Sequence, residues 1–577
     1  MSRMVDKFWT SGEPFIWGTA AVLSIVVFLL SGLLGIVFYN GLGVFWQKDV
    51  VQIELKNGKK YLGEIAKRDT VKVGTEVPDQ YALENRIQIK RGNREIDNMD
   101  FVWLNEKDIV AQTYPLHAVE VEREENGNFI GFIKTYLKGK EGAISDNESF
   151  EVLNQSVAIK INAYKEKRKE VYKINNSIGK LLLDLKKNIY YQKQNGVKFD
   201  LEGEQKLLSV LPEISAIKYL LGKNISLEYL VGHEPSIELL RKIIRLNKDY
   251  SVLKSDLEFL EKDSVQEKIV LVDINGVEKT IPMSHIIRLL HPNRITFFEK
   301  VALYFSKIKE LLFENPRESN TEGGLFPAII GTVMMVFLMS FLSFPLGVIS
   351  GVYLREYAKE GFFIRLVRIA VNNLAGIPSI VYGIFGLGFF VYFIGSNIDS
   401  FFYPEQLPVP NFGTGGILWA SLTLGILTVP VVIVSTEEAL GSIPREIRQG
   451  SLALGATKFQ TLYGVLLPMA SPGILTGFIL AMSRAAGEVA PLMITGVVKL
   501  AHALPVDNDW PFIHLERKFM HLGYQVYDVG FQSPNVEAST PMVYITTLLL
   551  LTIVFSLSLG AIILRNKMKK RYTVKSF

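Results

Sequence analysis

Residues 14–47 contain no Asp, Glu, Lys or Arg, and Phe15 to Tyr39 alone is long enough to cross a hydrocarbon core, which takes about 20 residues of helix. Five further charge-poor stretches follow, at 323–354, 369–398, 406–436, 459–483 and 538–564. Inside lipid every backbone polar group must find its partner within the chain, so such runs fold as spanning helices. The first run is too long for a cleaved signal and no A-x-A-like site follows it, so it reads as a retained span. Six spans is the simplest count.

Lysine and arginine in the short loops set the orientation. Arg355, Lys359, Arg365 and Arg368 follow the second span, Arg445, Arg448 and Lys458 follow the fourth, and Arg565, Lys567, Lys569, Lys570 and Arg571 follow the sixth. Ser396 to Gly416, between spans three and four, has no basic residue. Both termini are therefore expected in the cytoplasm and residues 46–320 outside it.

Composition supports this division. Residues 46–320 carry 86 of the charged side chains and the rest of the 577 residues only 35. The expected organisation is residues 1–45 as cytoplasmic N-terminus and first span, 46–320 as an extracytoplasmic domain, 321–565 as a five-span core and 566–577 as a basic cytoplasmic tail. The chain has no cysteine, which excludes thiolate zinc sites, iron–sulfur clusters and disulfides. The seven histidines are scattered and suggest no metal site, and a net charge of +5 gives no nucleic-acid footprint.

Within 46–320, Asn57-Gly58, Asn126-Gly127 and Asn275-Gly276 lie between alternating apolar runs such as Val51, Ile53 and Leu55. Asn-Gly supplies the positive φ of a tight turn, so the spacing predicts β-hairpins. Elsewhere the period changes. Val157, Ile161, Tyr164, Arg168, Val171, Asn175, Ile178, Leu182, Leu185 and Ile189 step by four and three, as do Leu239, Ile243, Leu246, Tyr250, Leu253, Leu257 and Leu260. A narrow 3.5-residue seam asks for a partner helix, so an antiparallel helical arm is expected at about 148–262, with Arg168 and Asn175 interrupting the seam. The domain reads either as a spacer or as a docking surface for an extracytoplasmic partner. Phe297 to Phe313 is amphipathic, suited to a membrane interface or to the underside of the β-domain.

The loop between spans four and five, residues 437–464, leads into the most specific motif. Gln449-Gly450-Ser451 is followed after three residues by Gly455, and after nine more by Val465-Leu466-Leu467-Pro468. This resembles the E-A-A, three residues, G, nine residues, I-x-L-P pattern of ABC importer permeases. Gln449 and Gly450 depart from the pattern's Glu and Ala; Glu446 lies one turn earlier. Thr321–Thr332, Asn373–Gly383 (N-L-A-G-I-P-S-I-V-Y-G) and Gly487–Leu492 (G-E-V-A-P-L) look like the phosphate-importing members of that family. The resemblance covers 321–565 and the first span, not the insert.

The resemblance implies an α-helical membrane protein with a type I ABC importer permease core, carrying an inserted α+β extracytoplasmic domain. It implies a coupling loop of two short helices joined near the glycine, docking in a cleft of an ATPase through Glu446, Gln449, Gly450, Ser451, Gly455, Leu467 and Pro468. The implied partners are a second, heteromeric permease subunit, a homodimeric ATPase and a periplasmic phosphate-binding protein, besides the lipid bilayer. No G-x-x-x-x-G-K-[ST] occurs; the Gly-Lys pairs at 58, 139, 179 and 222 are followed by Lys, Glu, Leu and Asn. The chain is therefore expected to be a transporter subunit and not an enzyme, with no cofactor of its own, ATP being used by the partner ATPase.

For the substrate pathway, Arg484 and Glu488 stand inside an uncharged region bounded by Lys458 and Lys499, Arg484 about 24 Å along a helix from Pro468. Ionisable groups in a span face a bundle interior or a water cavity and often mark a transport path. An arginine fork matches a tetrahedral oxyanion, and a carboxylate can accept the proton that phosphate carries and sulfate lacks. The alternative is an intrahelical ion pair, since the two are four residues apart. Asn372, Asn373 and Ser379, around Pro378, are weaker pathway residues that serve equally as interhelical contacts. Two other functions remain open: a permease for another oxyanion such as molybdate or sulfate, and a membrane signalling protein with an outer sensor domain.

Overall fold

The computed structural model describes residues 13–74, 81–97, 99–138, 143–144, 148–195, 233–501, 503–508, 510–533 and 535–572. It contains six helices long and apolar enough to cross a membrane: Phe15–Gly43, Phe326–Tyr357, Ser379–Phe402, Ile417–Gly441, Lys458–Gly487 and Val536–Lys570, here called spans one to six. The chain divides into two units. A helical unit comprises Met1–Trp46, Lys300–Ile394 and Thr414–Phe577; the other comprises Gln47–Glu299 and Gly395–Gly413.

The second unit is α+β. Strands β1 (Val50–Leu55), β2 (Lys60–Gly74), β3 (Tyr81–Lys90), β4 (Phe101–Asn105) and β5 (Ile109–Thr113) form an antiparallel sheet in the order β4-β3-β2-β1-β5. A second antiparallel sheet uses β6 (Val119–Arg123), β7 (Phe129–Lys138), β8 (Ala143–Ile144), β9 (Glu267–Val272), β10 (Glu278–Pro282) and β11 (Ile286–Leu290), in the order β10-β9-β7-β6-β11 with β8 beside β7. The Asn-Gly turns close β1–β2, β6–β7 and β9–β10, with Gly58, Asn126, Gly127 and Gly276 at positive φ. The period of two sorts the side chains: Val51 and Ile53 are buried with Ile87, Ile89 and Leu104 under the first sheet, and Val119, Val121, Phe129, Ile269 and Leu271 form the core of the second.

Two helices leave this unit as an arm: α1 (Glu148–Gln194) and α2 (Glu234–Ser264). Their seam buries Ile178, Leu185 and Ile189 against Leu240 and Ile243. Lys160 pairs with Asp263 at 2.8 Å and Lys167 with Asp256 at 3.9 Å; partners that fall along one helix as they rise along the other mean an antiparallel pair. Arg168 and Asn175, which interrupt the apolar period, lie outside the buried cluster. Gly196, of the Asn195-Gly196 pair, lies outside the described residues.

Helix α3 (Phe297–Phe313) buries only Leu311, which joins Leu325, Ala328, Met520 and Met542 of the helical unit. Phe298 and Phe305 on its apolar stripe remain exposed. In the helical unit, Met335 and Met339 of span two, Ala420 and Leu424 of span four, and Met482 and Ala485 of span five share one core with Leu492 and Phe519. Span one is exposed along most of its length, the surface that acyl chains would cover.

Span boundaries differ from the sequence expectation in two places. The expected third span, 369–398, is broken: α4 (Phe362–Leu374) is a separate amphipathic helix, and span three begins at Ser379. Pro378 disfavours helical backbone at the residue before it, and the Tyr382 hydroxyl donates to the Leu374 carbonyl, 2.7 Å, across the break. The expected fourth span, 406–436, starts later and ends later, at Ile417–Gly441. The basic residues up to Lys570 belong to the last turns of span six rather than to a separate tail; 573–577 lie outside the described residues.

Candidate functional site

After span four the chain turns at Pro444 into α5 (Arg445–Ala453), reverses at Gly455 and re-enters through α6 (Lys458–Thr461). Gly455 has φ +88°, a left-handed conformation in which a side chain is strained. Thr457 caps α6: its hydroxyl accepts from the Gln460 amide N–H, while the Gln460 side chain accepts from the Thr457 amide. Ser451 and Thr461 hydroxyls meet at 2.9 Å, closing the two short helices on each other. Leu467 and Pro468 lie within span five, just after its π-helical turn at Leu462–Leu466. Glu446, Gln449 and Gly450 are exposed, and so are Leu454, Phe459 and Tyr463, with the last two rings stacked.

Arg448 of α5, absent from the sequence-derived site, is the residue that fastens this loop. Its guanidinium donates to the Glu356 carboxylate at 3.0 Å and 3.2 Å, to the Ile443 carbonyl at 2.8 Å and to the Leu440 carbonyl. The arginine thus satisfies acceptors at the carboxyl end of span four, where backbone carbonyls lack helical partners, and reaches the end of span two. Both side chains are largely buried. A second arginine repeats the arrangement: Arg368 of α4 pairs with Glu437 at 3.2 Å and donates to the Leu354 carbonyl at 3.1 Å. In the sequence both arginines served only as markers of orientation. Buried acids at 356 and 437, facing basic loops, were the signal available.

Arg484 and Glu488 form an ion pair, Nε to Oε1 3.4 Å, with Arg484 40% and Glu488 20% exposed. The helix of span five ends at Gly487, so Arg484 lies in its last turn rather than deep inside a continuing helix. A cation there complements the negative end of the helix dipole, whereas Glu488 just beyond does not. Tyr382 of span three lies within electrostatic reach of Arg484. Asn372 and Asn373 are exposed on the last turn of α4 and Ser379 is half-buried at the start of span three. Among the described residues, no hydrogen bond joins these three to Arg484 or Glu488.

Residues 343–570, which contain the two short helices and the Arg484–Glu488 pair, match the family described as the binding-protein-dependent transport system inner membrane component. The match takes in the loop with Arg448 and the end of span five, and it starts inside span two. A probable phosphate transport system permease protein PstA of Methanocaldococcus jannaschii is 35% identical over 175 residues, 30% of this chain and 56% of that protein. The PstA phosphate permease of Mycobacterium leprae is 34% identical over 172 residues, 30% and 51% of the two chains. A probable ABC transporter permease protein YqgH of Bacillus subtilis is 32% identical over 196 residues, 34% and 59%. The chain spans between half and three-fifths of the length of these relatives. Among solved structures, an inward-facing methionine ABC transporter, MetNI, aligns with TM-score 0.33 at 20% identity, over 42% of this chain and 95% of that one. Residues 343–570 are thus similar to the inner membrane component of binding-protein-dependent transport systems, in a chain that also carries, among the described residues, six helices long and apolar enough to cross a membrane and an α+β unit.

Proposed function

We propose that this chain is the permease subunit of an ATP-driven importer of inorganic phosphate. The observation that carries the proposal is the similarity of the permease segment to proteins described as phosphate transport system permeases. In this reading α5 and α6 dock on a separate ATPase, which uses the ATP. A second permease completes the pathway, and a periplasmic phosphate-binding protein delivers the anion. Both termini face the cytoplasm and residues 46–320 the periplasm of the inner membrane. Exposed Leu454, Phe459 and Tyr463 suit burial in a partner cleft, since large apolar side chains in water favour being covered.

Arg484 supplies donors for the tetrahedral anion, and the Glu488 carboxylate accepts the hydrogen bond that the P–OH of HPO4²⁻ donates and sulfate cannot, favouring phosphate over sulfate. The partly open pair fits this role: an exchange of the carboxylate for the anion leaves the guanidinium satisfied throughout. Nucleotide drives the cycle only through tighter binding to one of the two permease states. The test is labelled-phosphate uptake by membranes carrying an Arg484→Ala variant that inserts and assembles normally. Uptake falls at least tenfold if the pathway runs past Arg484; undiminished uptake removes the residue from it. Glu488→Gln, with sulfate as competitor, reads selectivity separately.

A further inference from the structure

At the membrane end that carries the coupling loop, the start of span five and the end of span six enclose an open recess of about 750 Å3. One wall is apolar, made by Ile443 and Ile447 at the entry to α5 and by Met469 and Pro472 of span five; across from it stand Arg565 and Lys569 of span six. None of the lining residues is acidic. Arg565 makes a single long hydrogen bond, 3.4 Å to the Asn566 side chain, and among the described residues no carboxylate pairs with it. Arg565 and Lys569, four residues apart on one helix, both line the recess from the last turns of span six.

The volume lies in the range of sites for drug-sized ligands, about 300–1,000 Å3, and far exceeds what one oxyanion needs. A ligand that satisfies both walls carries a phosphate-type anion at one end and hydrocarbon at the other. Basic pockets between spanning helices take phospholipid headgroups for this reason, and this recess takes in the last turns of span six. We propose that it binds one anionic phospholipid, with the phosphate between Arg565 and Lys569 and the upper acyl carbons against Ile443, Ile447, Met469 and Pro472. The lipid then bridges span six to the entry of the coupling loop. The site does not depend on which substrate the chain carries.

The full chain, purified in a neutral detergent, is supplied with phosphatidylglycerol or with phosphatidylcholine of the same chain length, and retained lipid is counted by native mass spectrometry. Labelled inorganic phosphate is offered separately in equilibrium dialysis. The expected result is one retained phosphatidylglycerol per chain, little phosphatidylcholine, and a loss of roughly tenfold or more in an Arg565→Gln/Lys569→Gln variant. A Lys567→Gln/Lys570→Gln variant removes the same charge from the same helix outside the recess and keeps the lipid. Equal loss in both variants reduces the effect to diffuse surface charge and overturns the site. Binding of inorganic phosphate without preference for the lipid overturns it too, making the recess a free-anion site. Should the first variant fail to fold, equal retention of the two lipids by the unaltered chain decides against the proposal.

Discussion

Arg448 and Glu356 are joined through one carboxylate oxygen that accepts two guanidinium N–H groups, at 3.0 Å and 3.2 Å, while the remaining guanidinium donors hold carbonyls at the end of span four. One side chain therefore ties α5 to two spans. In the proposed importer, these hydrogen bonds would carry a displacement of α5 to spans two and four.

Arg448→Ala strands a largely buried carboxylate and two carbonyls, at a cost of about 1–3 kcal/mol for the unsatisfied groups. In the assembled transporter, phosphate uptake per ATP hydrolysed is expected to fall several-fold. Arg445→Ala, an exposed change in the same helix, leaves that ratio intact. A merely structural role for Arg448 lowers both rates together.

Gly450 and Gly455 are expected to respond oppositely to alanine. A Cβ at Gly450 meets nothing within 4 Å, and alanine in a helix is favoured over glycine by about 0.5–1 kcal/mol, so Gly450→Ala raises thermal stability slightly. At Gly455, φ +88° penalises any side chain, and Gly455→Ala lowers it. Thermal denaturation of the purified chain reads both.

Span four and span five pack closely at Gly477, where a Cβ would fall on the Ser435 side chain. Gly477→Ala therefore forces the helices apart, costing about 1–3 kcal/mol as overpacking does. Gly464→Ala, which has open space around it, is the matching control. Melting temperature in detergent separates the two.

His291 in the α+β unit is held below the ordinary histidine range by burial first, then by the Arg294 charge and by His117, partly offset by a hydrogen bond involving the Ala118 backbone. With a folded pKa below the unfolded value, about 6.5, the unfolded chain binds more protons as pH falls. The neutral form's stability is full above about pH 6.5 and is lost progressively below it. Protection from hydrogen exchange at Val119 and Val121 of β6, corrected for the intrinsic rate at each pH, is expected to fall between pH 7 and 5, and His291→Gln to flatten that dependence.

How legible this fold was in the sequence depended on how local its causes were. Uncharged runs and Asn-Gly turns act over a few residues, so the six spans and the three hairpins could be read directly, as could the reversal at Gly455. The separation of α4 from span three needed more: Pro378 was visible, but the Tyr382-to-Leu374 hydrogen bond that closes the break joins residues across it. Span five ends at Gly487, just after Arg484, inside a charge-poor region that runs on to Lys499, so the helix end was hard to place from the sequence. Arg448 and Glu356, 92 residues apart, meet only through tertiary packing. In one dimension the arginine was another cation in a basic loop.

The central claim is best tested by rebuilding the transporter. The chain is purified from its native membrane with whatever associates with it, reconstituted into liposomes, and supplied with ATP and labelled phosphate in the presence of excess sulfate or molybdate. The account predicts ATP-dependent phosphate accumulation that neither competitor suppresses. Accumulation of sulfate or molybdate in place of phosphate would contradict it.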